Sequence, residues 1–256
     1  MDRARKPRAP TAGIGAHRAY PGRCSRAGGV ARAPAPPRAI LARMQIEVWS
    51  DVVCPWCWLG NIRLDKAVAG FAHRDQVQVV RRSFELDPGT PKDLDIPTDE
   101  MLAKKFGAGR AQIDAMHERL GALGRADGVE FRFDRARTSN TFDAHQVLHL
   151  ARAHGKEAEM TRRLYLANFH DGVRVADRKE LVRLATEVGL EAAEVEEALG
   201  DQRFASAVRD DEAEARSIGV SGVPFFRADR ELTISGAQSV DVLGRMLDMA
   251  WAKRPA

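Results

Sequence analysis

A chain of 256 residues with 44% hydrophobic and 30% charged residues has the composition of an ordinary globular protein with room for a sizeable core. Its formal net charge of +4 misleads: residues 1–43 carry ten Lys/Arg against the single acid Asp2, a net of +9, which leaves −5 for residues 44–256 and argues against a nucleic-acid surface on the body. Three cysteines are too few for a disulfide-stapled secreted scaffold and no run of about 18 apolar residues offers a membrane span, so the expected compartment is the cytoplasm.

Residues 1–43 are rich in Arg, Ala, Pro and Gly and show no periodicity, a composition predicted to stay disordered. The longest apolar run there, Ala39-Ile40-Leu41-Ala42, is too short for a signal peptide. An Arg-rich, acid-poor leader has the charge of a transit peptide but lacks its serines and amphipathic helix, and charge alone would also suit an arm for an acidic partner. The preferred reading is that translation starts at Met44, directly before the first strand, which leaves Cys24 incidental.

Gln45–Ser50 alternates apolar and polar residues, with Ile46 and Val48 on one side, and predicts a strand. After Ser50-Asp51, the spacing of Trp58, Ile62, Leu64, Ala67, Val68 and Phe71 predicts a helix whose first turn carries Cys54-Pro55-Trp56-Cys57. Positions three apart on a helix share a face, so the two sulfurs come within disulfide reach. The unpaired N–H groups of a first turn favour a thiolate on Cys54, with a lowered pKa, and Pro55 suits a position whose N–H the helix does not need. Cys57, deeper in the turn, is the natural resolving partner, and the pair reads as a redox dithiol. Asp51, an acid near Cys54, would oppose thiolate formation or tune it, according to its orientation.

Gln76–Glu85 predicts a second strand and the proline-rich Leu86–Pro97 a loop. Thr98, followed by Asp99 and Glu100, reads as the cap of a helix with an apolar face of Met101, Leu102 and Phe106. Gly109–Ala126 is helical again, and Val129–Phe133 is expected to be a short extended piece. A helical block follows: one helix from a cap at Ser139 or Asn140 to His154, then Lys156–Phe169, a helix capped by Asp177, Glu191–Leu199 and Asp201–Ser217. Pro224–Arg227 and Leu232–Ser235, joined through Asp229-Arg230, read as a hairpin, and Ser239 or Asp241 opens the last helix. The order is that of a split α/β sandwich with an all-helical subdomain inserted in its middle.

Gly219-Val220-Ser221-Gly222-Val223-Pro224 precedes the hairpin, with a proline at the strand's first position, where no donor is required. Taken with the Cys54-Pro55-Trp56-Cys57 dithiol after a strand and the helical insertion, this resembles the DsbA-type branch of the thioredoxin fold. More narrowly it resembles the cytoplasmic FrnE-like group, to whose helical domain Ser139–Gly155 and the run His170–Leu181 are also similar. The resemblance spans about residues 44–252. It implies an α/β thioredoxin fold whose first half occupies residues 44–86, a helical insertion over 87–200 and a second half over 201–256. It further implies a cis Val223-Pro224 bond facing the dithiol, backbone pairing there with an extended substrate peptide, Cys54 as nucleophile and Cys57 as resolver. Pro55, Trp56, Val223 and Pro224 are then the expected substrate contacts, with Asn140 a further candidate.

The function expected is that of a thiol-disulfide oxidoreductase or isomerase acting on protein or small-molecule thiols and disulfides, with no bound cofactor and with glutathione or another thiol as possible co-substrate. Neither a nucleic acid nor a membrane is an expected partner, and a monomer and a homodimer are both compatible with the chain. Relatives with Ser in place of the first cysteine are glutathione-dependent, as kappa-class transferases or 2-hydroxychromene-2-carboxylate isomerases, and this is the first alternative; retention of both cysteines favours the redox branch. The second is a non-catalytic client-binding or metal-binding module. His145 and His149 share a helix face at a ligand-compatible spacing, but they lie far from the dithiol and no second cysteine pair completes a zinc site. Trp49 and Trp58 are expected in the core, and Trp56 at the surface against substrate.

Overall fold

The computed structural model of the chain describes residues 43–254; the basic stretch before Arg43, with Cys24, lies outside them. β1 (Met44–Ser50) is the centre of a mixed sheet of order β2-β1-β5-β6, in which β2 (Val77–Ser83) runs parallel to β1 and the hairpin of β5 (Phe225–Ala228) and β6 (Leu232–Ser235) runs antiparallel. Alternation along β1 sends its side chains to two different layers. Met44, Ile46 and Val48 pack under α1 (Pro55–Gly70) and α9 (Val240–Ala252), against Leu64, Ala67, Leu243, Met246 and Leu247. Glu47 and Trp49 face the other way, beneath α8 (Ala205–Ser217), where Trp49 packs with Ala215 and Val220 and its Nε1 donates to Asp211 O at 3.0 Å.

That second layer holds buried charge, and every charge there is answered. Arg82 donates to Glu47 at 2.6 Å and to Asp211 at 2.8 Å, and Arg227 Nε donates to Glu47 at 2.7 Å. Burial alone would raise the Asp211 carboxyl, but His149, the Ser83 N–H and Arg82 together hold it below the usual carboxylate range. β2 and β6 form the two edges of the sheet, and the Asp229-Arg230 turn joins β5 to β6. Both turn residues have left-handed backbone, at φ 44° and 62°, and Asp229 is held there by Gln45, which donates its N–H to Asp229 Oδ1 and accepts the Asp229 N–H, each at 2.8 Å.

Between the two halves of the sheet run α2 (Thr98–Phe106), α3 (Arg110–Asp127), α4 (Phe142–Ala153), α5 (Glu157–Leu166), α6 (Arg178–Glu187) and α7 (Ala192–Gly200). α4 to α7 share one apolar core, built on Val147, Leu150, Met160, Leu164, Leu181, Leu184 and Val195, into which Val52 reaches from the loop after β1. The caps fall close to where the sequence sets them: Asp177 accepts from Lys179 N at 2.9 Å, and Ser239 from Val242 N at 3.4 Å.

Some local features differ from expectation: Thr141, not Ser139 or Asn140, is the N-cap of α4, and α8 starts at Ala205 rather than Asp201. Pro97, not Thr98, is the residue preceding α2, and the proline-rich loop ends in a two-residue strand β3 (Ile96–Pro97) paired with β4 (Arg137–Thr138). Val129–Phe133 makes no strand; its Phe131 and Phe133 stack on each other at 5.0 Å and pack towards Trp58 and Phe169. The fifth helix ends in a π turn, Ala167–Asp171, which buries Phe169.

Candidate active site

The dithiol sits where β1 hands over to α1. Cys54 is the N-cap residue of α1, with extended backbone at φ −99° and ψ 114°, and its carbonyl accepts from Cys57 N at 3.0 Å and Trp58 N at 3.2 Å. Pro55 occupies the first helical position, so α1 begins without losing a hydrogen bond. The Cys54 side chain makes no capping bond and stays available. Its Sγ lies 3.9 Å from Val223 O, beside the cis Val223-Pro224 bond.

The close meeting of α1 and the Pro224 loop depends on a glycine. A Cβ on Gly60 would stand 2.7 Å from Pro224 Cγ and 3.2 Å from Phe226 Cζ, so only a bare Cα lets the helix and that loop touch. The expectation that Val223-Pro224 faces the cysteines thus acquires a physical cause one turn further along α1.

The two thiols, both free, are not equivalent. Cys54 is 5% exposed and lines a cavity, whereas Cys57 is 0% exposed beneath it. Burial first, then the adjoining Cys54 sulfur, pushes the Cys57 thiol well above its ordinary range. Around Cys57 lies a knot of residues absent from the sequence reading. Asn61 Nδ2 donates to Cys57 O at 2.9 Å, to Ser50 Oγ at 3.2 Å and to Tyr165 Oη at 3.4 Å, while its Oδ1 accepts from Arg81 Nε at 3.2 Å. One amide thereby ties α1, β1, β2 and α5 together. Tyr165 is fully enclosed; burial, followed by the charge of Cys57 and Cys54, holds its hydroxyl in the protonated form. Trp58 stacks on Tyr165 at 5.9 Å and on Phe169 at 5.8 Å, so it is core, as is Trp49.

Asp51 is buried beside Cys54 and contributes to the wall of the cavity that Cys54 lines. Its backbone oxygen accepts the Cys54 N–H at 3.2 Å, its Oδ2 accepts the Leu86 N–H at 2.7 Å, and its Oδ1 is 3.4 Å from His145 Nε2. Burial of His145 favours the neutral ring, but Asp51, with Glu85 and Glu212 behind it, more than offsets this and raises its pKa. His149 is engaged separately, with Ser83 Oγ at 3.1 Å and Asp211 at 3.2 Å, so the two histidines that share a face serve two different acids. Asn140 accepts from Phe142 N at 3.1 Å and donates to Thr90 O at 2.9 Å, which fixes the entry to α4; its neighbours Ser139 and Thr141 line the cavity.

The cavity in front of Cys54 has a volume of about 460 Å³ and is walled by Trp56, Val223, Phe133, Met101 and Leu102. Trp56, half-buried, carries the guanidinium of Arg119 over its ring at 5.7 Å. Met101 and Leu102 belong to the apolar helix face that the sequence shows, and that face lines the cavity. The far walls, Met116, His117, Phe133 and Phe169, escaped sequence reading because long-range folding alone gathers them.

The DSBA-like thioredoxin domain matches residues 45–248, nearly the whole described chain. The chain belongs to this family. A DsbA-like oxidoreductase fold is also what the solved structures show: a probable DsbA oxidoreductase from Streptomyces coelicolor is 44% identical, with a TM-score of 0.80, over 84% of this chain and 92% of that one. The uncharacterized protein YwbO of Bacillus subtilis is 29% identical over 206 residues, 80% of this chain and 96% of its own length. The cytosolic disulfide reductase DsbM from Pseudomonas aeruginosa, solved with GSH, shares the fold at 19% identity and a TM-score of 0.58, over 81% of this chain and 99% of that one. As a member of the DsbA-like family the chain is a disulfide oxidoreductase or isomerase, and no helix among its described residues is long and apolar enough to cross a membrane.

Proposed function

We propose that this DsbA-like protein exchanges disulfides with thiol substrates through Cys54 and Cys57, with Cys54 as nucleophile. The observation that carries the reading is the asymmetry of the pair: Cys54 Sγ opens onto the cavity opposite Val223 O, and Cys57 lies sealed behind it.

In the reductive direction the Cys54 thiolate attacks one sulfur of a substrate disulfide, and the other sulfur leaves as a thiolate. Cys57 then gives up its proton to solvent or to that leaving thiolate and attacks Cys54 Sγ. The second substrate sulfur departs, leaving an enzyme disulfide and a substrate reduced by two electrons. The reverse course installs a disulfide in a dithiol substrate. A high Cys57 pKa suits this order of events, because a protonated second thiol does not compete for the first attack. Pro55, Trp56, Val223 and Pro224 form the substrate-facing rim, and Val223 O, 3.9 Å from the Cys54 sulfur, is placed to pair with an extended chain.

No bound cofactor is required; the electrons reside on the sulfurs, and glutathione or another thiol serves as co-substrate. The cytoplasm is the proposed compartment, in keeping with the cytosolic DsbM that shares the fold. Reduction of insulin disulfides at limiting dithiothreitol tests the reading: wild type accelerates turnover and Cys54→Ser does not. Full turnover by Cys54→Ser would end it.

A further inference from the structure

α2 is built unlike the other helices near the dithiol. None of its side chains is fully buried, yet it is amphipathic: Thr98, Met101, Leu102, Lys105 and Phe106 recur at helical spacing. An apolar stripe of this kind ordinarily covers a core. Here it faces the open cavity, and Phe106 is left 67% exposed. Opposite it stand Trp56, Phe133 and Cys54. A cavity of about 460 Å³ has the size of a site for one small organic molecule. Its aromatic and thioether lining suits a flat ring.

The charges narrow the occupant. Lys105 is paired with Asp87 at 2.6 Å and Arg137 with Asp95, so the cations in the wall are already neutralised. Arg119 differs: exposed on α3, it stands outside the wall but lies over the ring of Trp56, a wall residue, at 5.7 Å, and has no carboxylate within ion-pair distance among the described residues. A guanidinium held on the aromatic face of Trp56, between the two cysteines in sequence, can receive a carboxylate in two parallel hydrogen bonds.

We propose that the cavity between α2 and the dithiol selects a low-molecular-weight disulfide that carries an aromatic ring and a carboxylate, the ring against Met101, Leu102 and Phe133 and the carboxylate on Arg119. This rests on the disulfide-exchange reading and specifies its substrate class. The chemistry is the same two-step exchange: two electrons pass from the Cys54–Cys57 dithiol to the substrate disulfide, whose two halves leave as thiols while Cys54 and Cys57 join in a disulfide.

Single-turnover stopped-flow rates of the reduced protein provide the test, with dithiobis(nitrobenzoate), dithiodipyridine, hydroxyethyl disulfide and oxidised insulin as probes. Comparing each variant with wild type on the same probe cancels the probes' intrinsic reactivities. Leu102→Trp, which fills the cavity, is expected to slow dithiobis(nitrobenzoate) about tenfold or more and hydroxyethyl disulfide less than about threefold. Arg119→Ala is expected to slow dithiobis(nitrobenzoate) about fivefold while dithiodipyridine, ring-bearing but uncharged, changes less than about twofold. Because Arg119 is exposed, that variant stays informative should Leu102→Trp fail to fold. Equal slowing of all four probes by Leu102→Trp, or insulin slowed as much as the aromatic acid, would overturn the proposal in favour of a polypeptide groove. So would an Arg119→Ala protein without charge preference. If the wild type reacts with none of the probes, or Cys54→Ser reacts as fast as wild type, the exchange reading itself fails.

Discussion

α1 and α2 border the same dithiol and are held in place by opposite means. α1 buries Cys57, Trp58, Leu59, Gly60, Asn61, Leu64 and Ala67, and its amide at Asn61 is bonded to three other elements. α2 has no fully buried residue, only half-buried ones such as Met101 and Leu102, and carries its apolar face to a cavity. The difference separates two tasks. The sulfurs need fixed geometry, which a packed helix and the Gly60–Pro224 contact supply. The proposed selection of what reaches them falls to an element whose side chains can be changed without opening a core.

The largest break in that comparison is chemical. Cys54→Ser should return insulin-disulfide turnover to the uncatalysed background, whereas Cys57→Ser should accumulate mixed disulfide on Cys54, read by mass spectrometry.

Next comes the charged layer that holds β1 and β2 against α8. Asp211→Asn removes the acid shared by Arg82, His149 and Ser83 N and should destabilise the fold by about 3 kcal/mol in denaturant titrations at neutral pH. Since the folded-state pKa of Asp211 lies below the ordinary value, the unfolded chain binds its proton first as pH falls. The stability it contributes is therefore complete above about pH 4 and disappears as pH drops through the folded value, so wild type and variant should converge in acid. A difference that persists unchanged to low pH would contradict this.

On the α1 side, Gly60→Ala should cost about 2 kcal/mol and lower turnover, since the new Cβ meets the Pro224 ring and one of the two must move. The smallest effect is expected on α2: Phe106→Ser should leave the unfolding midpoint unchanged within about 0.5 kcal/mol, measured by the same titration. A Phe106→Ser loss as large as that of Gly60→Ala would erase the contrast between the two helices.

The α1 side was legible in the sequence because its signals are local. Alternation through Ile46 and Val48, Pro55 at the first helical position and the hairpin residues before Leu232 each act over a few positions. Ser239 and Asp177 as caps belong to the same class. What escaped is made by distant partners. The β3–β4 pair has two residues a side and no periodicity to betray it. Asp51 meets His145 across the helical block, and Asn61 finds Tyr165 only once α5 has folded over α1. Phe131 and Phe133 have a strand's spacing, yet the aromatic cluster around Trp58 claims them. The apolar face of α2 was visible; its direction, towards a cavity, was not.

The proposed exchange turns on the inequality of two sulfurs, and the most direct test is competitive alkylation of the reduced protein with iodoacetamide, followed by peptide mapping. Cys54 is predicted to be labelled at least about tenfold faster than Cys57 at neutral pH, because it reaches the cavity and its partner is enclosed and protonated. Equal labelling, or Cys57 labelled first, would contradict it.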